Sequence, residues 1–363
     1  MDTSAVLRDV LRDLLGRHCD SAAVRAAAAS PFGYDRGLWA RLCGEVGVAG
    51  LAVPEKYGGA GAGPLETHIV LEELGRVLAP SPMLGSAVVA AQALLLTGDA
   101  DACGRLLPGI AAGTRIATLA WTGRAGDWST GEVACEATEA GVLDGDAQYV
   151  LDGDHADTLL AVARSPGGLR LYELDATDPG IERTVTPALD ITRRLARIAF
   201  RGVPGRRVGD GLPLDRLRDL SCVALSAEQV GAAARALELT VAHTRDRVQF
   251  GRPIGAFQAL QHRLADLHVL VESARSASYA AADALATESA EPSESAALAA
   301  VAKVYCSETL QKVAAEMIQL HGGIGITWEH DAHLYFKRAH GAAHLFGAPQ
   351  THLTRLADAA ANP

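Results

Sequence analysis

The sequence has no basic tract. Across 363 residues, 33 lysines and arginines face 43 aspartates and glutamates, a formal net charge of -10. Nucleic-acid binding needs clustered positive charge, so that class of partner is excluded. There is no uninterrupted apolar run of about 18 residues, the length a membrane-spanning helix requires, although 49% of the residues are hydrophobic. Cys19, Cys43, Cys103, Cys135, Cys222 and Cys306 lie far apart with no CxxC pair. That spacing excludes a zinc or disulfide framework and predicts reduced, packed thiols in a cytoplasmic protein. The opening MDTSAVLRDVLRDLLGRHCD is charged and amphipathic, unlike a signal peptide. No internal repeat is present.

The length suits two or three domains at about 100–200 residues each. Residues 1–115 read as a helical domain. Val6, Val10, Leu11, Leu14 and Leu15 fit one helix face, and Leu38, Trp39, Leu42 and Val46 suggest a second. Pro54 and the glycines from Gly58 to Gly63 force a loop, and Leu65–Leu78 is a helix ended before Pro80. The glycine loop has no strand before it and lacks phosphate-loop spacing, so it is not a nucleotide fingerprint. Residues 116–208 turn β-rich. Candidate strands are Ile116–Ala120, Gly141–Asp144, Gln148–Leu151, Thr158–Val162, Leu169–Leu174 and Ala196–Phe200, which suit a small antiparallel barrel or sandwich. Residues 209–363 are helical again: Arg216–Arg245, Ala259–Thr287, Glu294–Gly322 and a short Asp331–His340, with Thr287–Ser295 as a connection. The pattern gives an α+β multi-domain chain: helical domain, β domain, four-helix bundle.

Thr240–His262, TVAHTRDRVQFGRPIGAFQALQH, ends one helix, turns at Gly251-Arg-Pro253 and starts the next. RVQFGRPIGAFQ resembles the acyl-CoA dehydrogenases, flavoenzymes that desaturate acyl thioesters. PEKYGGAG resembles that family's "PEEYGG" segment, and a Glu-Glu-Leu-Gly helix and Leu106-Leu-Pro-Gly109 follow it. The resemblance covers nearly the whole chain. It implies the acyl-CoA dehydrogenase fold and an FAD shared across a subunit interface. Arg247, Gln249 and Phe250 match the pyrophosphate-binding turn, Phe257 and Gln258 the next contact, and Gln319, Leu320, His321, Gly322 and Gly323 the adenosine-side segment. A guanidinium fork suits a diphosphate, and glycines let backbone amides approach a ligand. Read without the family, Gly322-Gly323 is a simple helix cap.

The half of the site that would hold a chain's own flavin ring departs from the family. The "TEPxAGSD"-like loop is replaced by Ala120-Trp-Thr-Gly-Arg-Ala-Gly-Asp127, where only Gly123 and Asp127 survive. The "W-I-T" segment becomes Tyr149-Val150-Leu151, and leucine has no hydroxyl for the ring. The catalytic base is the sharpest departure. Desaturation in the family needs a carboxylate within reach of the substrate α-proton while the flavin takes the β-hydride. Of the two family positions for that glutamate, one holds Phe346, in Leu345-Phe346-Gly347-Ala348, and the other Ser221. Glu228 lies seven residues beyond Ser221 on the same face, about 10 Å along the axis, a distant substitute better suited to a contact within the bundle. His340 and His344 are the other titratable groups near the tail, with structural roles as the plain reading.

The resemblance therefore implies a subunit that lacks its own catalytic glutamate and completes the FAD site of a second acyl-CoA dehydrogenase family subunit, in an α2β2 assembly of the actinobacterial sterol side-chain type. It implies an acyl-CoA substrate and an electron-transfer flavoprotein as acceptor, with no metal. Two alternatives stay open: a self-sufficient homotetramer with an unrecognised base, Glu228 foremost, and a non-enzymatic scaffold or ligand-binding member.

Overall fold

The computed structural model describes residues 3–123, 125–126, 128–287 and 291–361. Arg124, Asp127 and residues 288–290 of the predicted connection lie outside them. The chain opens with α1 (Thr3–His18), α2 (Ser21–Ala29) and α3 (Arg36–Arg41). Asp20 caps α2 by accepting from the Ala23 amide. In α1 only Leu11, Leu14 and Leu15 are buried. Val6 and Val10, expected on the same face, are 41% and 45% exposed. The helix is tethered by another edge, where Arg8 and Arg12 pair with buried Glu73. The second predicted helix is α3 continued by a π-helical turn, Leu42–Val46.

Next come α4 (Pro64–Arg76), a π-helical segment Met83–Ala90, α5 (Ala91–Thr97) and α6 (Ala100–Ala111). Proline at the first turn of α4 gives up an amide that has no helical partner there.

The β region contains β1 (Ala117–Ala120), β2 (Cys135–Ala137), β3 (Val142–Leu151), β4 (Thr158–Ser165), β5 (Gly168–Leu174), β6 (Ile181–Val185) and β7 (Leu195–Val208). β4 pairs with β1 and β2 along one edge and β5 along the other; β5 pairs with β7, β7 with β3 and β3 with β2. That ring is the expected barrel, with two pairings, β1–β4 and β2–β4, parallel. Leu143, Ala147, Leu159, Ala161, Ile198 and Phe200 fill it. The two strands expected over residues 141–151 are one strand, β3, interrupted by register shifts. β2 and β6 were not expected; both are short, and β6 is largely exposed, so neither carries a clear alternation.

The remaining elements are α7 (Leu214–Asp246), the two-residue strands β8 (Val248–Gln249) and β9 (Arg252–Pro253), α8 (Gln258–Ala286), α9 (Pro292–His321), α10 (Ala332–His344) and α11 (Pro349–Ala361). The tail beyond His344 carries α11. α7 is buried on nearly every side because it packs on α4, the π-helical segment, α8 and α9. Two glycines make its crossing with α4 possible. A Cβ on Gly231 would lie 1.9 Å from the Glu72 carbonyl oxygen, and one on Gly75 would lie 2.2 Å from that of Glu228. Only bare backbones can approach so closely.

Among the described residues no helix is long and apolar enough to cross a membrane. All six cysteines are free and none is fully exposed.

Candidate functional site

Two regions hold the residues singled out by the sequence. The first is an exposed end of the helical bundle. α7 stops at Asp246 because Arg247 turns extended, and the β8–β9 hairpin reverses over Phe250 and Gly251, both at positive φ. The Ile254 amide donates to the Arg247 carbonyl at 2.8 Å, which closes the turn and lets Gln258 begin α8. The rings of His243 and His321 stack at 4.2 Å, and His330 lies 4.4 Å from His321. This stack brings the ends of α7 and α9 together, so the Arg247 turn and Gly322-Gly323 share one end.

Arg247, Gln249, Gln258, Gln319, Gly322 and Gly323 are exposed there. Phe250 is 90% exposed. Phe257 is half-buried, with the Arg252 guanidinium 4.1 Å above its ring. A Cβ on Gly322 or Gly323 would meet no atom within 4 Å, so open space borders this backbone. Val248, Ile324, Ile326 and Trp328 add exposed apolar surface. An exposed guanidinium, amide side chains and bare backbone suit a diphosphate-bearing group such as FAD. Leu320 and His321 differ from the expectation: both are buried and support the face from beneath. Burial holds His321 down to about 4, so it is neutral, with Nδ1 against the Met317 carbonyl at 2.7 Å.

The second region is a cavity of about 540 Å³ between the β barrel and α10–α11, lined by Gly126, Trp128, Tyr149, Leu195, His344 and Leu345 among others. Trp128, one of its lining residues, packs with Trp121 and Phe346. Ring centroids lie 5.2 Å apart for the two tryptophans, 5.1 Å for Trp128–Phe346 and 6.4 Å for Trp121–Phe346. The space left beside these rings, next to Gly85, Val89 and Leu151, is only about 10 Å³. Leu151 faces this closed side and gives the cavity no hydroxyl. The cavity has room for a planar ring, but the side chain expected to hydrogen-bond a flavin is absent.

Phe346 is 1% exposed and sits at φ 61, followed by Gly347 at φ 105. A non-glycine residue there costs about 1–3 kcal/mol and persists only when its surroundings fix it. Two buried groups do so. The Lys303 ammonium donates to the Ala342 and Ala343 carbonyls at 2.9 and 3.0 Å, capping α10 just before the turn. His352 Nε2 donates to the Phe346 carbonyl at 3.0 Å. Arg355 donates to His352 Nδ1 at 3.1 Å and pairs with Asp219 at 2.8 Å, which sets the neutral tautomer. Burial lowers Lys303 to about 8 and His352 to about 4.

Ser221 is fully buried and donates to the Leu217 carbonyl at 2.7 Å. Glu228 is not a free carboxylate. It pairs with Arg193, from the segment before β7, and lies 3.6 Å from Arg338 of α10, which also holds Asp190 at 2.6 Å. Glu228 therefore joins the barrel side to the bundle instead of making a contact within the bundle alone. His340 packs on Phe336, with Gln311 3.4 Å from Nδ1, and His344 is exposed on the cavity rim. Sequence reasoning missed Lys303, His352 and Trp128. Lys303 had a signal: with Ala299, Cys306 and Leu310 it continues a buried helical stripe, where a lone lysine needs a fixed partner. His352 and Trp128 had none, because their partners are distant in sequence.

The N-terminal and C-terminal domain models of the acyl-CoA dehydrogenases match residues 1–114 and 219–361. Acyl-CoA dehydrogenase IpdE2 of Mycolicibacterium smegmatis is 42% identical over 353 residues, covering 97% of this chain and 96% of that protein. The crystal structure of the ChsE4–ChsE5 complex from Mycobacterium tuberculosis superposes with a TM-score of 0.91 at 30% identity, covering 100% of this chain and 98% of that one. A variant of the Tcur3481–Tcur3483 steroid ACAD gives 0.89 at 32% identity, covering 99% and 97%.

Proposed function

This chain belongs to the acyl-CoA dehydrogenase family, and from that premise we propose that it is the non-catalytic subunit of a hetero-oligomeric, FAD-dependent acyl-CoA dehydrogenase. The observation that carries the reading is Phe346. It occupies the turn of the family base and is packed against Trp121 and Trp128, while Ser221 is bonded to its own helix and Glu228 is held by arginines. Neither family position, nor Glu228, offers a free carboxylate to take a proton.

The exposed end of the bundle is the chain's contribution. Arg247 would meet the FAD pyrophosphate of the partner subunit, with Gln249, Phe250, Phe257 and Gln258 beside it and Gln319, Gly322 and Gly323 on the adenosine side. FAD, when bound, supplies a hydride acceptor; the residues here bind, orient and exclude water. The rim of Val248, Ile324, Ile326 and Trp328 would be covered by that partner, in an α2β2 assembly that passes electrons to an electron-transfer flavoprotein in the cytoplasm. The heteromeric steroid relatives favour an acyl-CoA of steroid or lipid breakdown as substrate.

The cavity of about 540 Å³ supports a second reading, in which the chain holds its own flavin in a homotetramer. Flavin counts separate the two. The chain alone should emerge from gel filtration nearly colourless, and co-expression with a family member bearing the glutamate should give an active yellow complex. One tight FAD per isolated chain would overturn the proposal.

A further inference from the structure

The exposed end of the bundle carries a histidine cluster that the functional reading leaves unused. His321, at the end of α9, is the ring both others touch: His243 of α7 at 4.2 Å, and His330, in the loop before α10, at 4.4 Å. Two of the three are fixed. His321 is buried with Nδ1 against the Met317 carbonyl, and His330 Nδ1 accepts from the Ala332 amide at 3.0 Å. His243 differs. It is half-buried. Its ring nitrogens have no hydrogen-bond partner among the described residues, and both keep access to solvent. The His243 carbonyl accepts from the Arg247 amide at 2.9 Å, so the imidazole stands one helical turn before Arg247. His321 stands directly before Gly322. The two segments proposed to hold FAD are thus joined at their base by the His243–His321 contact.

The charges here favour a neutral His243 while the face is open. Burial, then repulsion from His330 and from the Arg247 guanidinium, hold its proton affinity below the ordinary imidazole range; Asp246 acts in the opposite direction. His321 is neutral and adds no charge. The neighbouring ions are engaged elsewhere. Arg245 turns to the groove it lines with Leu264 and His268. Arg252 lies over Phe257, Lys337 over Trp328, and Asp331 pairs with Arg25. A dinucleotide diphosphate carries two negative charges, and Arg247 offers it one positive charge. Covering the face removes screening water and strengthens the field that remains. Imidazole is the side chain that gains a charge most cheaply near neutral pH.

Resting on the proposed function, we propose that His243 is a further ligand of the FAD diphosphate, neutral while this face is open and protonated when cofactor and partner cover it. Binding then takes up a proton. His243 gains proton affinity on binding, so FAD binds more tightly as pH falls, and the gain levels off once the open face is protonated too.

The test is the FAD dissociation constant of the co-purified complex, read by flavin fluorescence on dilution, from about pH 8 to about pH 6. Affinity should rise about three- to tenfold, tenfold corresponding to one pKa unit gained on binding. His243→Asn should flatten the rise, because its amide stays neutral at every pH. His243→Gln answers the same question if the asparagine variant does not assemble. A flat wild-type profile, or a rise that survives in an assembled His243 variant, would overturn the assignment. Arg247→Ala separates this inference from the reading beneath it. A complex whose FAD affinity ignores Arg247→Ala has no shared site, whereas one that loses FAD with Arg247→Ala and has a flat wild-type profile refutes the role of His243 alone.

Discussion

The exposed end of the bundle and the buried turn at Phe346 are built in opposite ways. The bundle end around Arg247 is exposed: a two-residue hairpin, open glycines and a phenylalanine pointing into solvent. The turn around Phe346 is buried and held from below by Lys303 and His352. A surface that exposes so much apolar area is incomplete until something covers it. A turn fixed by buried hydrogen bonds is complete already, and here it is completed around an aromatic side chain instead of a carboxylate. Under the proposed function, the difference is how one chain would retain half of a site and lose the other half without losing its fold.

Five measurements would break or sharpen that contrast. The largest effect is expected from Phe346→Glu. A carboxylate among Trp121 and Trp128 loses the aromatic packing and is buried without a partner, so stability should fall by more than about 4 kcal/mol. Denaturant unfolding reads the loss. The isolated variant should also show no turnover, because a base is useful only where substrate and cofactor are already oriented; robust activity would mean that only the base was missing.

Arg247→Ala in the co-purified complex should weaken FAD by about 2–5 kcal/mol, the cost of leaving a buried charge unpaired. That is on the order of 30- to 5,000-fold, read as flavin content and dye reduction. Lysine should restore only part, since it lacks the planar fork. Unchanged flavin stoichiometry would remove the shared-site reading.

Acid should loosen the buried turn. His352 is held near 4 in the folded chain against about 6.5 unfolded, so the unfolded state binds the extra proton first and stability falls as pH drops from about 6.5 to 4. The limit is on the order of 3 kcal/mol for this residue. His352→Gln, which keeps a donor for the Phe346 carbonyl, should lose less stability over that window than the wild type. Parallel curves would show that His352 is not the group that titrates.

Lys303→Met should cost about 1–3 kcal/mol by leaving the last α10 carbonyls without a donor. It should leave the flavin content of the complex unchanged, because Lys303 does not touch the exposed end. Finally, Arg235→Ala should change stability by less than about 0.5 kcal/mol and flavin content not at all. Arg235 is partly exposed and pairs with Glu238 on the same helix.

Much of this was legible without coordinates, and the reasons are local. Helices α7, α8 and α9 are long, and proline and glycine breaks mark their ends, so their bounds were readable even though α7 is buried on nearly every side. The two positions without a glutamate, Phe346 and Ser221, were readable because short motifs fix their spacing. The strands were harder. β3 reads as two pieces because its bulges break alternation, and β2 and β6 are too short to show it.

The sequence alone determined the order of helical, β and helical segments and the Arg247 turn, since these depend on neighbours within a few residues. Only the tertiary structure decided which side chains meet across the chain. It placed Trp128 against Phe346, drew Glu228 to Arg193 and Arg338, and set Lys303 under the end of α10. It also turned Leu320 and His321 inward and set the His243 ring against His321. The physical reason is that burial and long-range pairing are properties of the packed arrangement, and a one-dimensional pattern does not record which distant surfaces exclude water together.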